Sequence, residues 1–434
     1  MNNIDKYLWN PVFRFVLQVK LDFVNKFGIQ AVEYKDYPEG TFFEHWINML
    51  DNQEYKDKIK WLELNSYGSF LLLRYANYAD IYSADKDMTF EELWGMYDGF
   101  YQECRSIVID CQKNQIVICP FKKFFNLNEV EETSEENIRQ EIECAHNVEF
   151  TEKLDGSMQC VTFYNDDFFM TGSQAINRDK SWRLQDGYKM FSSQMNYVSM
   201  VRYYHDNTFI FEYISTKDAH VVKYNKEDEG LYLVGIRSNF TGFQYSYKVV
   251  CRIAEQFGVK TTKIYDKTLD EVIADTKTIK SDEHEGFVLN IDNYLVKIKG
   301  DDYVQLHRIL SKISSVNVVI KSIADGTYDD LLAKIPIVHK ERIEMIAYEI
   351  FRYVTYCTRK VQEYYDAAPK DDKKTFMIWV NHNVPIRFKS YVRNKYLGVD
   401  FNYLKSGSES SPKYIKMQDI NIINAILEDE YDSI

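Results

Sequence analysis

The run Lys153-Leu154-Asp155-Gly156-Ser157 sets an amine two residues ahead of an Asp-Gly pair, with strand-like residues on both sides. A lysine so placed can be a nucleophile, provided it is deprotonated. The bland alternative is that Asp155-Gly156 closes a hairpin and Lys153 faces water. A free lysine, with a pKa of ~10.4, is almost fully protonated at pH 7. Neighbouring cations lower that value by disfavouring a second positive charge. Lys297 and Lys299 are the expected source: in a strand, residues i and i+2 point the same way, so KIK aims two ammonium groups at one place. Glu212 stands among the aromatic and apolar residues of FIFEYIS, where a carboxylate is costly without a partner. Glu285 opens EGFVLNI and is the better candidate for a divalent cation. Arg105 and Lys123 form an upstream pair, and a guanidinium suits bidentate phosphate contact. Taken singly, each feature has a plain reading: KxK as a solvated face, Glu212 and Arg237 as ion-paired structural residues, Val288 as core. Ser157 lacks the GxSxG elbow and a visible base, which sets it aside as a nucleophile.

These residues fall in one ordered series. ECRS (103–106) and KKFFNLNE (122–129) precede KLDGS; FIFEYIS (209–215), LYLVGIR (231–237), HEGFVLNI (284–291) and LVKIKGDDYVQLH (295–307) follow it. At these positions the chain resembles the ATP-dependent RNA ligases among the covalent nucleotidyltransferases, most closely the tRNA-repair branch of T-even phages. KFFNLNE after ECR, and KIK followed by YV-LH, are particular to that branch. The resemblance runs from about Tyr75 to His307. It implies ATP as co-substrate, Mg2+ or Mn2+ as metal, and three steps: Lys153 takes AMP from ATP, the AMP passes to an RNA 5′-phosphate, and an RNA 3′-hydroxyl displaces it. It further implies that Asp155 shapes the turn and acts in the joining steps. Lys297 and Lys299 would meet the triphosphate, and Arg105 and Lys123 the β- and γ-phosphates or, later, the RNA end. Glu152 would lie near the adenine amino group, Glu212 at the ribose hydroxyls, Val288 on the adenine face and Glu285 at the metal. The implied partner is RNA with 5′-phosphate and 3′-hydroxyl ends, nicked tRNA included.

The chain also departs from the family pattern. MTGSQ (170–174) lacks the lysines of the corresponding strand, ISTKD lacks a proline, and Asp302 stands where an aromatic is expected before YV-LH. Lys180 and Arg183 are candidates to offset the missing lysines. DNA ligases and mRNA-capping guanylyltransferases usually carry Arg two residues beyond KxDG; here Ser157-Met158-Gln159 follows. They also continue into an OB-fold, whereas this tail reads helical. A non-catalytic RNA-binding protein on the same fold is the reading from another class.

The elements that must position these groups are legible in outline. Asn10 is a helix N-cap and Pro11 suits the first helical position, with Gly28 as the stop. Residues 29–66 read as mixed helix and loop. From Ser69 the texture becomes strands: SFLLLRYANY, a hairpin in SIVIDCQKNQIVIC turning at Lys113-Asn114, and further runs with a turn at Asn165-Asp166. Glu341–Tyr365 has helical spacing and ends before Pro369, and KSGSESSPK (405–413) reads as a surface loop. The fold class is therefore α+β, an antiparallel body flanked by helices with a mostly helical C-terminal domain, and the resemblance implies that this body is a nucleotidyltransferase. The expected division is 1–68 as an N-terminal helical extension, 69–305 as the adenylyltransferase domain and 306–434 as the helical domain.

A formal net charge of -13 argues against indiscriminate coating of nucleic acid, so any RNA contact is expected at a local basic site. Seven cysteines without CxxC or zinc spacing read as buried free thiols of a reducing cytosol. No signal-peptide pattern and no membrane-length apolar run occur. The expectation is a cytoplasmic monomer without membrane contact, and the resemblance implies a phage-infected bacterial cell as its setting.

Overall fold

Three four-stranded antiparallel sheets carry the first three hundred residues. The computed structural model describes residues 4–38, 40–76, 90–218, 220–306, 316–333, 337–408 and 411–421. His307 of the YV-LH motif, and Asn77 and Tyr78 at the end of SFLLLRYANY, lie outside the described residues. The chain separates into two compact units, Met1–Val304 and Gln305–Ile434.

The first sheet has the order β1 (Leu62–Tyr67), β2 (Phe70–Tyr75), β3 (Arg105–Asp110) and β4 (Gln115–Ile118). The expected hairpin at Lys113-Asn114 joins β3 to β4, and Asn114 takes the left-handed backbone (φ 53°) that the tight turn needs. β1 extends the sheet into the stretch read as helix and loop. Its alternation is half-buried against exposed, as befits an edge strand with one polar face. Period-two alternation gives this sheet two apolar faces. Leu71, Leu73, Ile107 and Ile109 face the N-terminal helices, and Leu72, Val108 and Ile118 face the other two sheets.

The helix Pro11–Phe27 lies on the first of those faces. Asn10 Oδ1 accepts from the amides of Val12 and Phe13, and Gly28 ends the helix at φ 86°. It buries Val12, Phe13, Phe15, Val16, Val19 and Phe23, each worth about 1.5–3 kcal/mol relative to exposure. The N-terminal segment thus shares one core with β2 and β3.

The second sheet has the order β10 (Ile264–Tyr265), β5 (Val148–Glu152), β11 (Gly286–Ile291) and β12 (Tyr294–Lys299). Its outer face packs on the helices Glu135–Cys144 and Leu269–Thr276 through Ile138, Leu269 and Val272. The third sheet has the order β7 (Asp167–Gly172), β6 (Ser157–Tyr164), β8 (Asn207–Ile214) and β9 (Gly230–Ser238). Asn165 and Asp166, both left-handed, close the β6–β7 hairpin as expected. Helices Trp182–Ser192, Met195–Tyr203 and Tyr247–Phe257 cover this sheet. Cys160, Ile210, Phe121 and Leu295 fill the junction where all three sheets meet.

The second unit is mostly helical. Its 31-residue helix Ile337–Ala367 buries Ile343, Ile350, Cys357 and Val361 against the helices Lys373–Asn383 and Ile386–Leu397. KSGSESSPK forms a hairpin rather than a plain loop: β13 (Lys405–Ser408) pairs with β14 (Ser411–Tyr414). Ser, Gly and Pro disguise the strands, because backbone ladder bonds and not side-chain burial make this ribbon. All seven cysteines are free; five are buried, but Cys144 is exposed, contrary to expectation. Among the described residues no helix is long and apolar enough to cross a membrane.

Candidate active site

Lys153 sits where the chain passes from one sheet to another. β5 ends at Glu152 in the second sheet and β6 begins at Ser157 in the third. The expected Asp155-Gly156 hairpin is therefore not formed: β6 pairs with β7 and β8, not with β5. The connecting strap is held from outside. The Lys153 amide donates to the Gly286 carbonyl at 2.9 Å. Asp155 Oδ2 accepts from the amides of Val221 and Val222 at 2.8 and 3.0 Å, and Oδ1 accepts from Tyr303 Oη at 2.9 Å. The Asp155 amide donates to Tyr224 Oη at 2.9 Å. Gly156 provides room: a Cβ there would lie 2.5 Å from the Tyr213 carbonyl oxygen and 2.6 Å from Ile214 Cδ1. Its amide donates to Glu212 Oε1 at 3.1 Å, which ties the strap to β8.

The strand registers then bring distant residues to one place. On β12, Lys297 is opposite Val288 and Lys299 is opposite Gly286 of β11; Val288 in turn faces Thr151 of β5. Glu285, immediately before β11, is buried and bonds both amines, Lys153 Nζ at 2.7 Å and Lys299 Nζ at 3.0 Å. Lys297 Nζ points elsewhere and donates to the Phe124 carbonyl at 2.9 Å. Arg105 lies over the Phe124 ring at 4.7 Å, and its Nη1 is buried with no hydrogen-bond partner among the described residues. An open buried guanidinium of this kind suits an anion.

The electrostatics differ from expectation at Lys153. Burial pushes its amine down, but the carboxylates of Glu285, Glu212 and Asp155 outweigh burial and raise its pKa. The cation that is depressed is Lys297. Burial first, then Arg105, Lys123, Lys153 and Lys299, push it far below the usual lysine range. Lys123 moves the same way, through burial and the charges of Arg105 and Lys299, with Glu129 opposing. Burial raises Glu212 to about 7, helped by Glu285 and Asp155 and opposed by Lys153 and His220. Burial also pushes Glu285 up, but Lys153 and Lys299 prevail and hold it below the ordinary carboxylate range. The site is therefore two-sided: three carboxylates crowd Lys153, and four cations stand behind them.

A cleft of about 110 Å3 is lined by Arg105, Glu152, Lys153, Glu212, Val288 and Lys297 together with apolar residues of the sheet junction. Glu285 joins this group through its bond to Lys153, Lys299 through its bond to Glu285, and Asp155 and Lys123 through their charges. Glu152 lies 3.8 Å from His284 Nε2. Val288 is both cleft wall and part of the central core. Arg237 takes the plainer of its two readings: it is buried and bonds Glu103 at 2.8 and 2.9 Å. Asp302 has a local role, accepting from the Ser281 amide at 2.9 Å.

Several neighbours carried no readable signal. Asp218 is buried and meets Ser157 Oγ at 2.8 Å, His220 Nε2 at 3.1 Å and Arg183 Nη2 at 2.7 Å. Tyr224 and His220 reach Asp155 from some seventy residues away, which no local pattern announces. Tyr303 lies within LVKIKGDDYVQLH, and its fixed place after KIK is the signal that marks it.

Residues 103–303 match the family described as RNA ligase. The chain is 26% identical over 256 residues to the putative bifunctional polynucleotide kinase/RNA ligase of Autographa californica nuclear polyhedrosis virus. That match takes in 54% of this chain and 35% of the viral protein, so the chain spans about a third of the length of this curated relative. Similar solved structures include Naegleria gruberi RNA ligase with PPi, at 14% identity and TM-score 0.33 over 54% of this chain and 73% of that one. A mutant of the Naegleria gruberi enzyme with ATP and Mn is 18% identical, with TM-score 0.31, over 40% of this chain and 55% of that one. An archaeal ATP-dependent RNA ligase is 10% identical, with TM-score 0.43, over 80% of this chain and 96% of that one.

Proposed function

We propose that the segment matching the RNA ligase family is the catalytic body of an ATP-dependent RNA ligase that joins 5′-phosphate to 3′-hydroxyl RNA ends. The observation that carries this is the Lys153 amine, held at a strap between two sheets, bonded to Glu285 at 2.7 Å and backed by Arg105, Lys123, Lys297 and Lys299. Such an arrangement suits attack on a polyanion by an amine. Lys153 Nζ forms a bond to the α-phosphorus of ATP as the bond to pyrophosphate breaks, and the amine gives up its proton. The cations meet charge that develops on the leaving pyrophosphate, in a partly dry site where each counts for more than in water. The RNA 5′-phosphate then takes the AMP from Lys153. Last, a 3′-hydroxyl attacks that 5′-phosphorus and AMP leaves.

Because Glu285 holds the amine protonated, release of Lys153 from this carboxylate is part of the first step. A divalent cation fits here by donor chemistry: Glu285, Glu212 and Asp155 are hard oxygen donors whose charges act on one amine, and such ions take one or two carboxylates plus phosphate oxygens. When bound, the ion supplies positive charge at the phosphate and draws carboxylate charge away from the amine. Mg2+ is the metal we favour.

In the finer assignment, Glu152 and Val288 contact adenine, Glu212 the ribose, and Asp155 serves the joining steps. Residues 69–305 would form the adenylyltransferase domain, 1–68 an extension built into it, and 306–434 a domain that selects RNA. The setting we favour is cytoplasmic repair of broken RNA loops, nicked tRNA among them, by a monomer in a phage-infected bacterium.

The test uses ATP labelled at the α-phosphate, with Mg2+. The expected result is an acid-labile covalent adduct that disappears in Lys153→Ala. Folded wild-type protein that forms no adduct with ATP or GTP refutes the enzymatic reading, and labelling by GTP alone redirects it to capping. Ligation of 5′-phosphorylated single-stranded RNA, DNA and a nicked anticodon loop then sorts the substrates.

A further inference from the structure

The strap that carries Lys153 has a cavity on each side of its continuation into β6. One is the nucleotide cleft. The other is a larger groove of about 730 Å3, and Met158 lines both. One wall of the groove is Asn65 and Ser66 of β1, with Asp36 from the N-terminal segment. The facing wall includes Gln174, from the stretch that lacks the family's lysines, and then Lys180 and Arg183. The walls are tied together, since Asn65 Nδ2 donates to the Gln174 carbonyl at 3.2 Å.

The chemistry of the lining is specific. Among the described residues that line it, Lys180, Arg183 and Asp36 are the charged ones, and the rest are mostly amides, hydroxyls and small residues. Asp36 is engaged by Ser66 Oγ, and Arg183 by Asp218. Lys180 has no side-chain partner among the described residues. Beside it, Trp182 is 45% exposed, with the Arg183 guanidinium 5.0 Å from its ring centroid. An exposed indole thus stands against a guanidinium that Asp218 pairs, two residues along the chain from an amine with no side-chain partner among the described residues. A cationic groove flanked by an aromatic platform is how proteins hold single-stranded nucleic acid: phosphates on the cations, a base on the ring. The wall of amides and hydroxyls suits ribose hydroxyls, which both donate and accept.

We infer that this groove is the track along which single-stranded RNA reaches the nucleotide cleft. Lys180 binds a backbone phosphate, Trp182 stacks an unpaired base, and Asn65 and Ser66 face the ribose. This rests on the ligase reading and gives the N-terminal segment a role that no sequence motif announced: it builds the far wall of the RNA path. It also accounts for the lysine-free MTGSQ stretch, because the positive charge of this wall comes from Lys180, in the loop that follows β7, and from Arg183, in the first turn of the helix Trp182–Ser192.

The test uses the full chain, a 5′-phosphorylated single-stranded oligoribonucleotide, its DNA analogue, and the variants Lys180→Ala and Trp182→Ala. Self-adenylylation with labelled ATP should match wild type in both, which reports that fold and cleft are intact. Trp182→Ala should weaken RNA binding by about tenfold, and Trp182→Phe should restore most of it. Lys180→Ala should lower the slope of log affinity against log salt by about 0.7, the value for one phosphate contact on a single strand. RNA should bind more tightly than the DNA analogue, and Asn65→Ala should narrow that gap. If both variants adenylylate and also bind RNA as wild type does, the groove is not the track. Equal affinity for DNA removes the ribose contact from the proposal. A wild-type chain that forms no adduct overturns the ligase reading, and this inference with it.

Discussion

Glu285 and Glu212 flank the same amine, yet their carboxyl groups shift in opposite directions, and this has consequences for stability. Glu285 is held below its ordinary value of 4.5 by Lys153 and Lys299 against the effect of burial. A depressed carboxyl contributes stability above its unfolded pKa and loses it as pH falls through the folded one. Glu285→Gln should therefore cost about 3 kcal/mol at pH 7, since it leaves two amines without their counter-charge, and the deficit should shrink below about pH 4.5. Denaturant unfolding at several pH values checks this, and loss of the lysine adduct at pH 7 should accompany it. Glu212, raised by burial from 4.5 to about 7, has the opposite linkage. Its relative stabilisation is present below about pH 4.5 and is lost as pH rises to about 7. Glu212→Gln retains an acceptor for the Gly156 amide, so the variant should match wild type near pH 4 and exceed it by about 1–3 kcal/mol above pH 7. A variant less stable than wild type at pH 8 would contradict that account.

Between elements, the strap from Lys153 to Gly156 is the joint on which the site depends. It links the second sheet to the third, and Gly156 runs against the backbone of β8 with no space for a Cβ. Gly156→Ala should force β6 and β8 apart or twist the strap. The expected cost is about 1–3 kcal/mol, as for other overpacked sites, with a larger loss of adduct formation than of stability. Thermal unfolding together with adduct yield separates the two effects. Equal adduct yield per folded molecule would show that the joint tolerates movement.

In the molecule as a whole, the chain divides near residue 305 into two compact units with separate cores. Residues 1–304 contain every group assigned to ATP chemistry. A chain truncated after Val304 should remain folded and form the adduct at wild-type yield, while losing preference among RNA substrates. The N-terminal segment should not be removable in the same way. Its helix Pro11–Phe27 covers Leu71, Leu73, Ile107 and Ile109, so its deletion exposes one face of the first sheet. Solubility and adduct yield of the two truncations make the comparison.

Local features were readable in the sequence because their causes are local. Asn10 and Pro11 cap a helix with their own atoms, Asn114 and Asn165-Asp166 turn hairpins through their own backbone, and the spacing from Ile343 to Tyr364 needs no distant partner. The ordered motifs also picked out the groups that gather around one cleft. What could not be read depends on which strand pairs with which. KLDGS looks the same as a hairpin turn or as a strap between sheets, and β1 is too polar on one side to stand out. Glu285 lies 132 positions from Lys153, and nothing near either residue announces the 2.7 Å contact. That contact reverses the expected shift of the Lys153 amine, because an amine responds to the charge beside it in space, and pairing of β5 with β11 put a carboxylate there before the lysines of β12 could act.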